Sequence, residues 1–224
     1  MSEDNAKTTH NSLALLPTVG SSYQYGWQQI KKYFLELLLI AVIGIVIGVP
    51  LGIFNNDANE GGAGAAILGV FGFAYSILVI KPVDYGISFA NLRAARGDKL
   101  EVKDMFDAFK YYINVVLASL LSGAIIVIGL VLLIVPGIIF ACKLAFVPYL
   151  VMDRKMEAIE AVKESWRMTN GYASKVFLIG LLAIPICIAG LICFGVGIIF
   201  AFMWIRLAFA SLYHAVSVPG QNSG

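Results

Sequence analysis

Ile113 to Met152 reads INVVLASLLSGAIIVIGLVLLIVPGIIFACKLAFVPYLVM, and Lys143 is its only charged residue. A helix needs about 20 apolar residues to cross the hydrocarbon core of a bilayer. This stretch is two crossings long, and Pro136-Gly137 near its middle marks a turn. It therefore predicts a helical hairpin in a membrane. The same pattern recurs on both sides. Val176 to Val216 is again about two helices long, with Gly195-Val196-Gly197 near its centre. Upstream, Tyr33 to Phe54 and Gly62 to Ile80 are separated by Asn55 to Gly61, a turn-rich connector with Asp57 and Glu60 and no basic residue. The expected fold class is all-α, a polytopic membrane protein with six transmembrane helices arranged as three hairpins.

Composition agrees. The chain is 59% hydrophobic with a mean hydropathy of +0.84. Charged residues make up 13% of it, about half the usual share for a globular protein. There is no room for a separate catalytic domain. The net charge of +2 is too small to suggest nucleic acid as a partner. The first residues are polar, and Leu13 to Leu16 is far shorter than the apolar region of a signal peptide.

The connectors set the orientation. Lys7, Lys31 and Lys32 precede the first crossing. Lys81, Arg93, Arg96, Lys99, Lys103 and Lys110 fill the second connector, and Arg154, Lys155, Lys163, Arg167 and Lys175 the fourth. The three opposite turns carry none. The positive-inside rule then puts both termini and the two long connectors in the cytoplasm. This divides the chain into a cytoplasmic segment 1–32, a transmembrane domain 33–216 and a cytoplasmic tail 217–224.

Both long connectors read as amphipathic helices. Met105, Phe106, Phe109 and Ile113 share one helical face, with Lys103, Asp104, Asp107 and Lys110 elsewhere. Ile159, Val162 and Trp166 share another, opposite Glu157, Glu160, Lys163, Glu164 and Arg167. Such helices lie in the headgroup layer, with Trp166 as an interface anchor; the alternative is a cytoplasmic helix packed on its neighbours. Three strings, Gly48 to Phe54, Val135 to Phe140 and Gly195 to Phe200, resemble one another at the turns. So do Lys143-Leu144-Ala145-Phe146 and Arg206-Leu207-Ala208-Phe209, and together they suggest a threefold hairpin repeat.

Intramembrane charges are the candidate site residues. Lys143 and Arg206 lie well inside the fourth and sixth crossings. Together they are expected to attract an anion, either a phospholipid headgroup or an anionic solute. Glu36 and Asp84, nearer the cytoplasmic side, are the candidate counter-ions. The alternative gives both cations structural roles, snorkelling or bonding to carbonyls. Gly44, Gly48 and Gly52 recur every four residues, the small-xxx-small pattern of close helix packing. Pro50 and Pro185 are expected kinks. Cys142, Cys187 and Cys193 sit in apolar runs without CxxC spacing, and His10 and His214 are isolated. No metal site, cofactor site or catalytic motif is expected, so the reading is of a non-enzyme.

The segment Leu132 to Phe177, LLIVPGIIFACKLAFVPYLVMDRKMEAIEAVKESWRMTNGYASKVF, resembles a bacterial family of integral membrane proteins of unknown function. That family is related to the membrane region of some glycerophosphoryl diester phosphodiesterases. Pro136-Gly137, Lys143, Pro148, Glu160-Ala161, Ser165 and Gly171 carry the resemblance, and Tyr85-Gly86, Arg96-Gly97 and Phe106 extend it over Lys81 to Val216. The resemblance implies a multi-pass bacterial inner-membrane protein acting near lipids or in membrane organisation. No phosphodiesterase domain is expected in these 224 residues, so that activity is not carried over, and the resemblance supplies no catalytic residues. Membrane lipids are the expected partners, with a protein partner or a second copy as further candidates. A small transporter or exporter subunit for an anionic solute is the alternative function.

Overall fold

Thr18 starts the first helix, α1 (Val19–Lys32), with extended backbone and a side-chain oxygen that accepts from the Ser21 amide. The computed structural model describes residues 17–58, 63–192 and 196–217. Lys7, His10, Cys193, Gly195 and the tail beyond Ser217 therefore lie outside the described residues. So do the end of the expected first turn and the centre of the last one. Tyr23, Gly26, Gln29 and Ile30 form the inward stripe of α1. A Cβ on Gly26 would meet the Leu207 side chain and Ala208 backbone at 3.4 Å. The Tyr23 hydroxyl donates to the Ile179 carbonyl at 2.8 Å, and Trp204 Nε1 donates to the Tyr23 carbonyl at 2.8 Å. The described part of segment 1–32 thus packs as part of the bundle.

The helices that follow are α2 (Phe34–Ala58), α3 (Ala63–Tyr75), a π turn Ser76–Ile80, α4 (Lys81–Arg96) and a 3-10 helix Val102–Tyr111. Then come α5 (Tyr112–Leu132), α6 (Ile134–Lys143), α7 (Val147–Asp153), α8 (Ala158–Met168), α9 (Ala173–Ile192) and α10 (Val196–Ser217). Six stretches among them are long and apolar enough to cross a membrane. The described chain is all-helical, and its spans are those of a multi-pass membrane protein.

Burial is uneven along these spans. Leu92, Ala95, Val115, Phe146, Leu150, Ala161, Ile179, Leu212 and Tyr213 form one core, and Ile30, Leu37, Ile40, Val83, Ala90, Met105 and Leu207 a second. Most of these residues come from the span ends beside the two long connectors. At the opposite ends large apolar side chains are bare, with Val131 81%, Ile192 76% and Val70 69% exposed. In water this would be costly. In lipid it is not, because acyl chains solvate leucine as well as another helix does.

Prolines explain where the sequence boundaries shift. The second crossing does not stop at Ile80; helix continues to Arg96 through the π turn, whose Lys81 amide reaches back to the Ser76 carbonyl. Pro82 has no amide for the Leu78 carbonyl, and the Tyr112 hydroxyl supplies the missing donor at 3.0 Å. The helix ends at Gly97, whose left-handed φ of 79° is open to glycine. The first crossing likewise runs past Phe54 to Ala58, with Pro50 inside it. Near that proline the Tyr75 hydroxyl donates to the Ile47 carbonyl at 2.8 Å.

The turn in the third apolar stretch falls at Leu133, not at Pro136-Gly137. Leu133 is extended (φ −167°, ψ 150°) and Pro136 lies in the first turn of α6, where a helix has no use for its missing amide. Gly137 serves packing instead, since a Cβ there would meet Leu130 Cα at 2.9 Å. The fourth crossing is also interrupted, at Leu144–Phe146, before Pro148 near the start of α7. The Lys143 carbonyl left free there accepts from Ser165 Oγ at 2.7 Å and Thr169 Oγ1 at 3.2 Å.

The first connector differs from the α-helical reading, while the second is an α-helix. The 3-10 helix turns every three residues, so Met105 and Ala108 point inward while Phe106 and Phe109 are exposed. Ile113, expected beside them, is 72% exposed on α5. Phe106 stacks on Phe109 with centroids 6.3 Å apart, and Phe109 on Tyr112 at 6.2 Å. A capping box between Glu101 and Asp104 starts this helix. Asp104 is also held by Arg93 at 2.7 Å. In α8 the inward face is Ala158, Ala161 and Ser165, while Ile159 is 61% exposed. Small residues let α8 lie close to its neighbours and leave the larger apolar ones outside.

Candidate functional site

Asp84 and Arg206 form an ion pair between α4 and α10. Arg206 Nη2 donates to Asp84 Oδ1, and the guanidinium lies over the Phe202 ring with its centre 4.5 Å from the centroid. Local sequence explains the arrangement. Phe202 and Arg206 are four apart on α10, so they share a face. Asp84, Ile87 and Asn91 follow at three and four on α4, which aligns them as one stripe.

The pair stands in the wall of a cleft of about 210 Å³ between α2, α4 and α10. Leu37, Ile40, Gly44, Ile45 and Gly48 of α2 form one side. Ile80, Val83, Ile87 and Asn91, with Phe202 and Met203, form the other. Asn91 turns its Nδ2 back to the Ile87 carbonyl at 2.8 Å, which satisfies that donor within α4. The lining is therefore apolar apart from Asp84, Asn91 and Arg206. With side chains 33% and 23% exposed, Asp84 and Arg206 remain reachable. An apolar trough ending on an ion pair can hold an amphiphile, its chain against the aliphatic wall and its polar end at the charges.

Of the expected counter-ions, Asp84 meets Arg206. Glu36 lies in the first turn of α2 and makes no ion pair among the described residues. Lys143 does not line this cleft. Its Nζ donates to Asn170 Oδ1 and lies 5.9 Å from the Trp166 ring centroid. Trp166 in turn packs on Phe140, 5.5 Å between centroids. The two cations are therefore partnered separately. The string at Lys143–Phe146 leads into a break, whereas Arg206–Phe209 is unbroken helix. Of the glycine stripe, Gly44 is tight, its Cβ position 2.9 Å from Ile87 Cδ1, while Gly48 and Gly52 face open space. Pro50 and Pro185 lie inside α2 and α9. Cys142 and Cys187 are free thiols. Among the described residues no group of three or more His, Cys, Asp or Glu stands together for a metal.

No protein-family model, curated protein or solved structure matches this chain.

Sequence reasoning missed Asn91 and Phe202, although their helical spacing from Asp84 and Arg206 was a usable signal. It also missed a second charged cluster. Arg96 grips Asp153 through two bonds of 2.5 and 2.6 Å, and Tyr213 donates to the same carboxylate at 3.1 Å. That cluster ties α4, α7 and α10 together beside the two basic connectors.

Proposed function

We propose that this protein is a non-catalytic multi-pass protein of a bacterial cytoplasmic membrane that binds a membrane lipid, its chain in the α2/α4/α10 cleft and its headgroup at Arg206 and Asp84. The observation that carries the reading is the apolar cleft ending on a reachable ion pair. Three hairpins, with both termini and the basic connectors in the cytoplasm, bring this site toward the inner leaflet. The exposed Phe106, Phe109, Ile159 and Trp166 then sit in the headgroup layer as membrane grips. The family resemblance over Lys81 to Val216 points to the same setting. Native mass spectrometry of gently extracted protein tests the reading. Wild type retains a phospholipid, and Asp84→Asn/Arg206→Gln loses it. Equal retention by both, or none by wild type, sinks the lipid site.

A second reading, a small transporter or exporter subunit for an anionic solute, draws on the interrupted fourth crossing at Leu144–Phe146. It predicts anion flux in proteoliposomes that is absent in Arg206→Ala. No flux in wild type excludes it.

A further inference from the structure

We infer that the cleft selects a zwitterionic headgroup bearing a primary ammonium, such as that of an ethanolamine phospholipid, over an anionic one. The inference rests on the lipid-binding reading above and adds the ligand class. It follows from the way the ion pair is made. One guanidinium nitrogen meets one carboxylate oxygen, and Asp84 Oδ2 takes no other hydrogen bond or ion pair among the described residues. Phe202 supports the flat face of the guanidinium, which leaves its remaining edge for an acceptor. The site therefore offers a donor fork and a carboxylate oxygen side by side.

A phosphate alone gains from Arg206 and is repelled by Asp84. An ammonium alone meets the reverse. A headgroup with both, a few bonds apart, satisfies each end with the sign it requires, and both bonds are charge-assisted. The number of N–H donors also matters. A primary ammonium presents three donors to Asp84 Oδ2, whereas a trimethylated ammonium presents none. A glycerol headgroup offers only neutral hydroxyls, which make the weaker kind of bond to a carboxylate. The aliphatic wall of Leu37, Ile40 and Ile45 takes the acyl chain in every case, so discrimination falls on the headgroup.

The test is competitive native mass spectrometry of the full chain in mixed micelles. It uses equal amounts of ethanolamine, choline and glycerol phospholipids with identical acyl chains. Wild type is expected to retain the ethanolamine lipid at least about tenfold over each of the others, a factor equal to about 1.4 kcal/mol. In Asp84→Asn that preference over the glycerol lipid disappears. The glycerol lipid matching or exceeding ethanolamine in wild type overturns the inference and leaves lipid binding itself standing. Choline matching ethanolamine overturns the role of N–H donation. Retention of no lipid, or retention that Asp84→Asn/Arg206→Gln does not change, removes the underlying site. The wild-type competition decides the matter even if Asp84→Asn fails to fold.

Discussion

The Tyr112 hydroxyl donates to the Leu78 carbonyl, the acceptor that Pro82 cannot serve. It joins the start of α5 to the π turn between α3 and α4. In lipid no water is at hand to satisfy that carbonyl, so the neighbouring span must do it. Tyr112→Phe should lower stability by about 1 kcal/mol, the worth of one such bond. Pro82→Ala restores an amide within reach of Leu78, and in that background Tyr112→Phe should cost much less. Thermal unfolding of the four proteins in one detergent gives the double-mutant cycle. Equal losses in both backgrounds would show that the hydroxyl does not stand in for the missing amide.

Gly86 marks where the 3-10 helix crosses α4. A Cβ there would overlap the Met105 carbonyl oxygen and lie 2.6 Å from its carbon. The obstacle is backbone, and Arg93–Asp104 together with the Glu101 capping box hold that backbone in place. Gly86→Ala is expected to cost about 3 kcal/mol, the upper part of the overpacking range. Gly48→Ala, with nothing within 4 Å of its Cβ position, should be neutral or gain up to about 1 kcal/mol from helix propensity. Melting temperatures of both variants check the contrast, and similar values would refute it.

Asp153 is 13% exposed in its side chain and takes both arms of Arg96 as well as the Tyr213 hydroxyl. Asp153→Asn removes the charge and one acceptor while leaving Arg96 in place. A loss of about 2 kcal/mol is expected, below the roughly 3–5 kcal/mol of a fully buried pair, because the Arg96 side chain is 28% exposed. Arg167→Ala, which removes a cation 78% exposed in its side chain, should leave the melting temperature unchanged. An Asp153→Asn protein that melts with wild type would make the cluster a surface ornament.

The spans were legible because apolar runs of crossing length need no partner to be recognised, as Ile113 to Met152 illustrates. Their ends were not. The second apolar run stops at Ile80, yet helix continues through Pro82 to Arg96. The Tyr112 hydroxyl, thirty residues after that proline, donates to the Leu78 carbonyl. Pro136 looks like a turn centre, yet it tolerates the first turn of α6, and the break moves to Leu133. Met105, Phe106 and Phe109 share a face only at 3.6 residues per turn; at three per turn Met105 goes inward and the phenylalanines outward. At the site, Arg206 was conspicuous as an intramembrane charge. Its partnership with Asp84 was less so, because Asp84 lies beyond Ile80, where the apolar run of the second crossing ends. At Pro82 and at Asp84 a contact across the bundle decided what local pattern left open; at Pro136 and Met105 the choice lay in helix position and helix type.

That partnership also governs how the cleft tolerates change. Asp84 and Arg206 are partly reachable from outside, so each charge keeps some solvation, and the pair is worth less than a fully buried one. Removing either partner still strands the other in an apolar wall. Asp84→Asn and Arg206→Gln are each expected to lose about 1–2 kcal/mol, below the 3–5 kcal/mol of a fully buried pair. The double variant removes both charges and keeps neutral groups of similar shape, so it should be more stable than the sum of its parts, by about 1 kcal/mol. Unfolding of the four proteins under one condition measures that coupling. Additive losses would mean that the two charges do not depend on each other, and the cleft would then carry two independent ions rather than one receptor.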